Sequence, residues 1–105
     1  MKSIKLKKEK EKILLNGQTQ EADFATIDLI RAALTSPSKD GYSVSDISKR
    51  LKILNVLDLV KDDEKELLLE DADHQILSHL VGNMRWGVIS KFIKDFAEDL
   101  SKVDL

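Results

Sequence analysis

Apolar residues recur three or four positions apart from residue 23 onward, the spacing that places side chains on one face of an α-helix. The pattern predicts a first helix over residues 23–35, with apolar positions at Phe24, Ile27, Ile30 and Leu34. The next segment, TSPSKDGY, contains Pro37, which lacks an amide hydrogen, and Gly41, which tolerates positive φ. We therefore expect a loop after this helix.

A second helix is predicted over residues 44–60, because Ser43 or Ser45 can accept a hydrogen bond from a free amide of its first turn. Its apolar positions are Ile47, Leu51, Ile53, Leu54, Val56, Leu57 and Val60. They cover a wider arc than a helix with a single buried face requires. We expect this helix to be buried on more than one side and to lie at the centre of the fold.

Two more helices are predicted over residues 72–84 and 88–102. Their apolar positions are Ile76, Leu77, Leu80, Val81 and Met84 in the first, and Val88, Ile89, Phe92, Ile93, Phe96 and Leu100 in the second. The acids of EDAD precede the first of these helices, where the helix dipole favours negative charge. Gly82 and Gly87 each disfavour a helix by about 1 kcal/mol relative to Ala, so a break between the two helices is expected.

The N-terminal segment, residues 1–17, shows the alternation of charged and apolar residues that is typical of strands. Asn16-Gly17 favours a tight turn, after which the chain either pairs back through QTQ or enters the next element. The run at residues 66–70 is too short for a helix and predicts one buried strand that pairs with the N-terminal strands. The prediction is a mainly helical α+β single domain, residues 1–105, with about four helices and a small two- or three-stranded sheet.

Composition agrees with one ordered domain, because 105 residues with 42% hydrophobic positions suffice for a single core. The chain has no cysteine, which removes disulfides and thiolate chemistry and is consistent with a reducing compartment. We find no secretory signal pattern and no run of about 18 apolar residues. A soluble, cytoplasmic protein with no membrane partner is expected.

Charge is divided unevenly between two parts of the chain. Six lysines crowd residues 2–12, whereas residues 58–73 carry eight acids against two lysines. Nucleic acid is an unlikely partner for the lysines, because Glu9 and Glu11 are interleaved with them and no aromatic residue is available for base stacking. The alternative to this reading is a helix-turn-helix-like DNA-binding regulator over residues 42–60, but its recognition helix, VLDLVKDDEK, would present acids to phosphates.

Asp71, Asp73, His74 and His79 are the residues that suggest metal or acid–base chemistry. His74 and His79 are five positions apart, whereas two histidines that share a metal on a helix favour a spacing of three or four. We interpret the acids as residues of a helix start and His74 as a surface histidine. A metal-dependent hydrolase remains a third class that metal content would identify.

Catalytic motifs are absent from the sequence: we find no nucleophile elbow and no glycine-rich phosphate loop. We also expect a chain this short to lack a cavity of about 300 Å³ or more. We therefore expect that the protein is not an enzyme and that it has no cofactor, no metal and no small-molecule substrate.

Arg85 and Trp86 lie at the predicted corner between the last two helices. Trp86 either covers one end of the core or, together with Arg85, docks a partner, since both residue types are enriched at interface hot spots. They are the candidate partner-binding residues. The apolar helix surface also exceeds what one small core needs, which favours a protein partner or a homo-oligomer.

The charged N-terminal strands, the loop before SDISKRLKILNVLD, and LLLEDADHQILSHLVGNMRWGVISKFIKDF together resemble small uncharacterised proteins of tailed bacteriophages and prophages. The resemblance covers most of the chain and includes no catalytic signature. It implies a role in virion assembly, within the host cytoplasm or the particle. We accordingly expect a non-enzymatic protein-interaction module, and the resemblance implies a structural or assembly protein of a phage or prophage.

Overall fold

In the computed structural model, which describes residues 1–103, the chain forms four helices and four strands and is an α+β protein, as predicted. The order along the chain is β1 (Lys2–Lys5), β2 (Lys8–Leu15), β3 (Gln18–Ala25), α1 (Thr26–Thr35), α2 (Val44–Asp58), β4 (Glu66–Leu69), α3 (Asp71–Asn83) and α4 (Lys91–Val103). The strands form two separate antiparallel pairs rather than one sheet: β1 with β4, and β2 with β3.

The β2–β3 hairpin turns at Asn16 and Gly17, whose φ angles of 53° and 78° are those of a turn that matches the strand twist. The chain therefore pairs back through QTQ, one of the two expected routes. Pairing extends to Lys8 opposite Ala25, so residues 23–25, predicted to begin a helix, belong to β3. Helix α1 begins only at Thr26, where the amide donates to the Lys7 carbonyl.

Strand β4 pairs with β1, which confirms the predicted partner of the short apolar run. Ile4 faces Leu67 across the pair, and both side chains are buried, as is Leu69. The intervening Leu68 lies on the opposite face and is exposed. This alternation places one face of the β1–β4 pair against the helices.

The core is assembled from one face each of α1, α3 and α4, the inner face of β1–β4, and two residues of α2. Its buried apolar residues are Ile4, Leu29, Ile30, Ala33, Leu34, Ile53, Leu57, Leu67, Leu69, Leu77, Val81, Phe92, Ile93, Phe96 and Leu100. The hairpin joins this core through Phe24, whose ring stacks on Phe92 at a centroid distance of 5.7 Å. The four helices, the β1–β4 pair and β3 thus share one apolar centre.

The prediction that the second helix is central is wrong. Of its residues only Ile53 and Leu57 are buried, whereas Ile47 and Leu51 are exposed. The helix lies at the edge of the core, so a single face has neighbours. It also ends at Asp58 rather than at residue 60, because the amides of Leu59 and Val60 tighten into bonds with the carbonyls three residues earlier.

The break between the last two helices is shifted from its predicted place. Gly82 lies inside the last turn of α3, and the chain leaves the helix after Asn83. Helix α4 begins at Lys91, because the Ser90 hydroxyl accepts from the Ile93 amide at 3.2 Å and so caps the first turn. Val88 and Ile89, predicted to be helical, therefore lie in the connection before α4.

Candidate interaction surface

The largest departure from a closed core is a row of apolar side chains along the outer face of α2. Val44, Ile47 and Leu51 are 84%, 44% and 51% exposed, and the half-buried Leu54 continues the row. Spacings of three, four and three residues place these four side chains on one face over three turns. We refer to Val44, Ile47, Leu51 and Leu54 as the α2 stripe.

Side chains outside the α2 stripe hold α2 to the rest of the protein through apolar and charged contacts. Ile53 and Leu57 enter the core, and Arg50 donates to the Leu34 carbonyl at 3.0 Å. The Arg50 guanidinium also lies 4.7 Å from the centre of the Tyr42 ring, a cation–π distance. Because α1 has no basic residue in its last turn, Arg50 supplies the cation that stabilises its carboxyl end.

A second set of contacts joins α2 to the start of α3. The Lys52 ammonium lies 3.0 Å from a Glu70 carboxylate oxygen and 3.3 Å from one of Asp73. Hydrogen bonds to Glu70 and then to Asp73 raise the pKa of Lys52 above its ordinary value. These contacts fix the rotation of α2 about its axis, and with it the direction in which the α2 stripe faces.

The predicted partner-binding residues occupy the corner between α3 and α4. Arg85 is exposed, whereas Trp86 is half-buried and packs against the core cluster. Trp86 therefore covers one end of the core, one of the two roles considered for it. The docking role of Arg85 and Trp86 stays a prediction.

Two of the three lysines of β2 lie opposite acids of β3. Lys10 pairs with Asp23 and Lys12 with Glu21 in the strand register, and directly opposite residues share a face of the hairpin. Glu9 and Glu11, which alternate with these lysines, point to the other face. Two of the three positive charges of β2 thus have an acid directly opposite, whereas Lys8 lies opposite Ala25.

Glu11 connects the β2–β3 hairpin to the start of α4, a contact that was not predicted from the sequence. Its carboxylate accepts from the Ser90 hydroxyl at 2.5 Å and from the Lys91 amide at 2.6 Å, at the first turn of α4. The hydrogen bond from Ser90 contributes most to lowering the pKa of Glu11, and the amides of Lys91 and Phe92 act in the same direction. A carboxylate from the hairpin therefore stabilises the amino end of a helix about 80 positions away.

The acid and histidine cluster of the third helix does not converge on one point. Asp73 is buried beside Lys52, whereas Asp71 is exposed, 3.5 Å from the N-terminal ammonium. His79 is exposed, but His74 is fully buried, so its interpretation as a surface histidine is wrong. Among residues 1–103 no group of three or more acidic, histidine or cysteine residues is arranged to hold a metal ion.

Residues 42–60 do not form a helix-turn-helix arrangement. They contain one continuous helix, and VLDLVKDDEK covers the end of that helix and the turn that follows.

The structure also contains a cleft of about 350 Å³, contrary to the expectation that the chain is too short for one. Its charged lining residues are Lys5, Lys7, Glu9, Asp95, Asp99 and Lys102. These three cations and three acids give the lining no net formal charge.

No protein-family model, curated protein sequence or solved structure matches this chain. Within the described part of the chain, no helix is both long and apolar enough to span a membrane. Because no relative indicates functional residues, the α2 stripe is identified from the spacing and exposure of its side chains. Val44 was not singled out in the sequence, although its spacing of three residues from Ile47 is the signal that would have found it.

Proposed function

We propose that this chain is a non-enzymatic protein-interaction module and that the α2 stripe is its docking surface. The observation that carries the proposal is the exposure of Val44, Ile47 and Leu51 on one face of a helix whose other face is anchored. Removing a Val, Leu or Ile side chain fully from water contributes about 1.5–3 kcal/mol. Three neighbouring side chains of this kind give a partner a substantial apolar contact.

The spacing of the α2 stripe suits a helical partner. Anchors at intervals of three and four residues over about three turns match the apolar face of an amphipathic helix. Ser48 and Asn55, which run along one border of the stripe, are uncharged and exposed, so a partner that covers this border buries no charge there. A role in phage or prophage particle assembly, in the host cytoplasm or the virion, is the setting that the sequence resemblance supports.

The test uses paired surface variants of the full chain. Ile47→Gln/Leu51→Gln removes the centre of the α2 stripe, and Gln keeps a high helix propensity. The matched control is Leu59→Gln/Ile89→Gln, which replaces apolar side chains that are 79% and 91% exposed outside the stripe. A partner is first isolated together with the chain from cells that express the chain in its native setting. The partner is then purified alone, and its affinity for the wild type and for each variant is measured by calorimetry.

We expect the stripe variant to weaken binding of the purified partner at least tenfold and the control to leave it unchanged. Equal binding by the stripe variant and the wild type contradicts the proposal. Arg85→Ala, at an exposed position, separates the two candidate surfaces. Loss of binding in that variant alone would instead assign docking to the corner of Arg85 and Trp86.

A further inference from the structure

We infer that the α2 stripe pairs with the same stripe of a second copy of this chain, with the two α2 helices antiparallel. The inference rests on the proposed function, in that it takes the stripe to be a docking surface and names its occupant. It begins from the spacing of the stripe, which is three, four and three residues. This order is the same when read in either direction.

A surface that reads the same in both directions is complementary to itself under a two-fold rotation. With two antiparallel α2 helices, Val44 of each copy lies opposite Leu54 of the other, and Ile47 lies opposite Leu51. All four layers of the seam are then apolar, as a/d packing of paired helices requires. No polar side chain has to enter the seam.

Charge favours the antiparallel arrangement over the parallel one. Asp58 lies one turn beyond Leu54 on the same face, where it is exposed and forms an ion pair with the Arg31 guanidinium at 2.9 Å. Parallel helices in register would bring the two Asp58 carboxylates together and press these ion pairs against each other. Antiparallel helices instead bring each Asp58 to the amino end of the other α2, where the helix dipole favours an acid. Arg50, which also borders the stripe, directs its guanidinium to the α1 carbonyls and the Tyr42 ring.

The position of the core leaves room for this pairing. At 100° per residue, the centre of the α2 stripe lies roughly 120° around the helix from the buried Ile53 and Leu57. The two cores therefore stand to one side of the seam and splay apart. A 15-residue helix is only about 22 Å long. One such seam buries less than the roughly 800 Å² per partner of a standard interface, so a weak, concentration-dependent dimer is expected.

Sedimentation equilibrium of the purified full chain tests the self-association. From about 1 to 500 µM, a range that brackets micromolar dissociation constants, we expect a reversible monomer–dimer equilibrium. Ile47→Gln/Leu51→Gln should raise the dissociation constant at least tenfold, and Leu59→Gln/Ile89→Gln should leave it unchanged. A monomer at every concentration, or a dimer that survives the stripe substitutions, overturns the inference. Either result leaves the affinity measurement with a different protein partner as an independent test of the docking surface.

Cross-linking tests the orientation, because the chain has no natural cysteine. Val44→Cys and Leu54→Cys proteins are treated with a short bis-maleimide, separately and mixed. The antiparallel seam predicts a cross-linked dimer that forms efficiently only in the mixture, whereas cross-linking of Val44→Cys with itself overturns the arrangement. If Leu54→Cys impairs folding, the Val44→Cys protein alone still tests the orientation, because parallel helices in register bring the two copies of position 44 together and antiparallel helices keep them about 15 Å apart.

Discussion

Helices α2 and α4 carry similar apolar periodicity but use it differently. In α4 the large apolar residues Phe92, Ile93, Phe96 and Leu100 are all buried. In α2 only Ile53 and Leu57 are buried, and three apolar residues of the α2 stripe are exposed. Helix α4 buries these apolar side chains in the core, whereas α2 leaves part of its apolar surface in solvent.

The difference follows from the width of the two apolar arcs. At 100° per residue, the apolar positions of α4 span roughly 140°, which one side of a core can cover. Those of α2 span roughly 240°, and this helix has neighbours on one side only. A wide apolar arc therefore does not identify a central helix. In a small domain, a wide arc is equally consistent with a peripheral helix that has a second, exposed apolar face.

The amino ends of the two helices are also stabilised differently. Helix α2 is capped locally, since the Ser43 hydroxyl accepts from the Asp46 amide at 3.1 Å. Helix α4 has its own Ser90 cap and, in addition, the Glu11 carboxylate from the hairpin. The position of α4 thus depends on a long-range contact, whereas the start of α2 depends on its own sequence.

The largest effect is expected from truncating α4. Phe96→Ala removes a ring from the buried face and leaves a cavity, which should lower the free energy of unfolding by about 3–5 kcal/mol. Urea denaturation, followed by circular dichroism, measures this loss. A loss below about 1 kcal/mol would mean that α4 does not anchor the core.

A somewhat smaller loss is expected on the buried face of α2. Ile53→Ala should lower the free energy of unfolding by about 3 kcal/mol, because Ile53 is fully buried between α2 and the core. The same urea experiment measures it. If the loss is within experimental error of zero, α2 packs on the core through a different face from the one described.

Local signals in the sequence were sufficient for most elements of the fold. Asn16-Gly17 predicted a turn, Ser43 or Ser45 a helix start, and the apolar run before Glu70 a strand, and each depends on residues within a few positions of one another. The α+β class followed from these elements. Boundaries were less accurate where two elements competed, as at residues 23–25, where strand pairing extended into an apolar pattern typical of a helix.

Long-range contacts account for what the sequence did not predict. The hydrogen bonds of Glu11 to the start of α4 can be predicted only if β2 is known to pass that point. Neither Glu11 nor Ser90 is unusual in its local sequence context. The burial of His74 likewise depends on which face of α3 meets the core. For α2 the periodicity predicted the helix but not its rotation, which the contacts of Arg50 and Lys52 with other elements determine.

Acid should distinguish the two helix starts. The hydrogen bonds from Ser90 and from the amides of Lys91 and Phe92 lower the pKa of Glu11 below its ordinary value in the folded protein. This carboxylate therefore contributes stability above its unfolded pKa, and the contribution is lost as the pH falls through the folded value. Glu11→Gln should therefore be less stable than the wild type near pH 7, by less than either core truncation. The difference should shrink as the pH falls below the ordinary pKa of a glutamate, as unfolding curves at each pH would show.

Ser43→Ala is the control for this titration. It removes a cap that contains no titrating group, so the difference in its free energy of unfolding from the wild type should remain nearly constant over the same pH range. A Glu11→Gln difference that is equally constant would contradict the assignment of Glu11 as a charged cap of α4.

The smallest effect on the isolated fold is expected in the α2 stripe. Leu51→Ala is the counterpart of Ile53→Ala, two positions away on the same helix, but Leu51 is half exposed and Ala has the highest helix propensity. At low micromolar protein, the free energy of unfolding should change by less than about 1 kcal/mol. A larger loss under these dilute conditions would mean that Leu51 belongs to the core.

Raising the protein concentration turns the same substitution into a probe of docking. If two copies pair through the α2 stripe, pairing stabilises the folded state by mass action, and the melting temperature of the wild type rises with concentration. Leu51→Ala should flatten that rise, while Ile53→Ala should lower the melting temperature at every concentration. The two exchanges thus separate the contribution of each α2 face: one acts on the folded chain itself, and the other acts only when a second apolar surface covers the stripe.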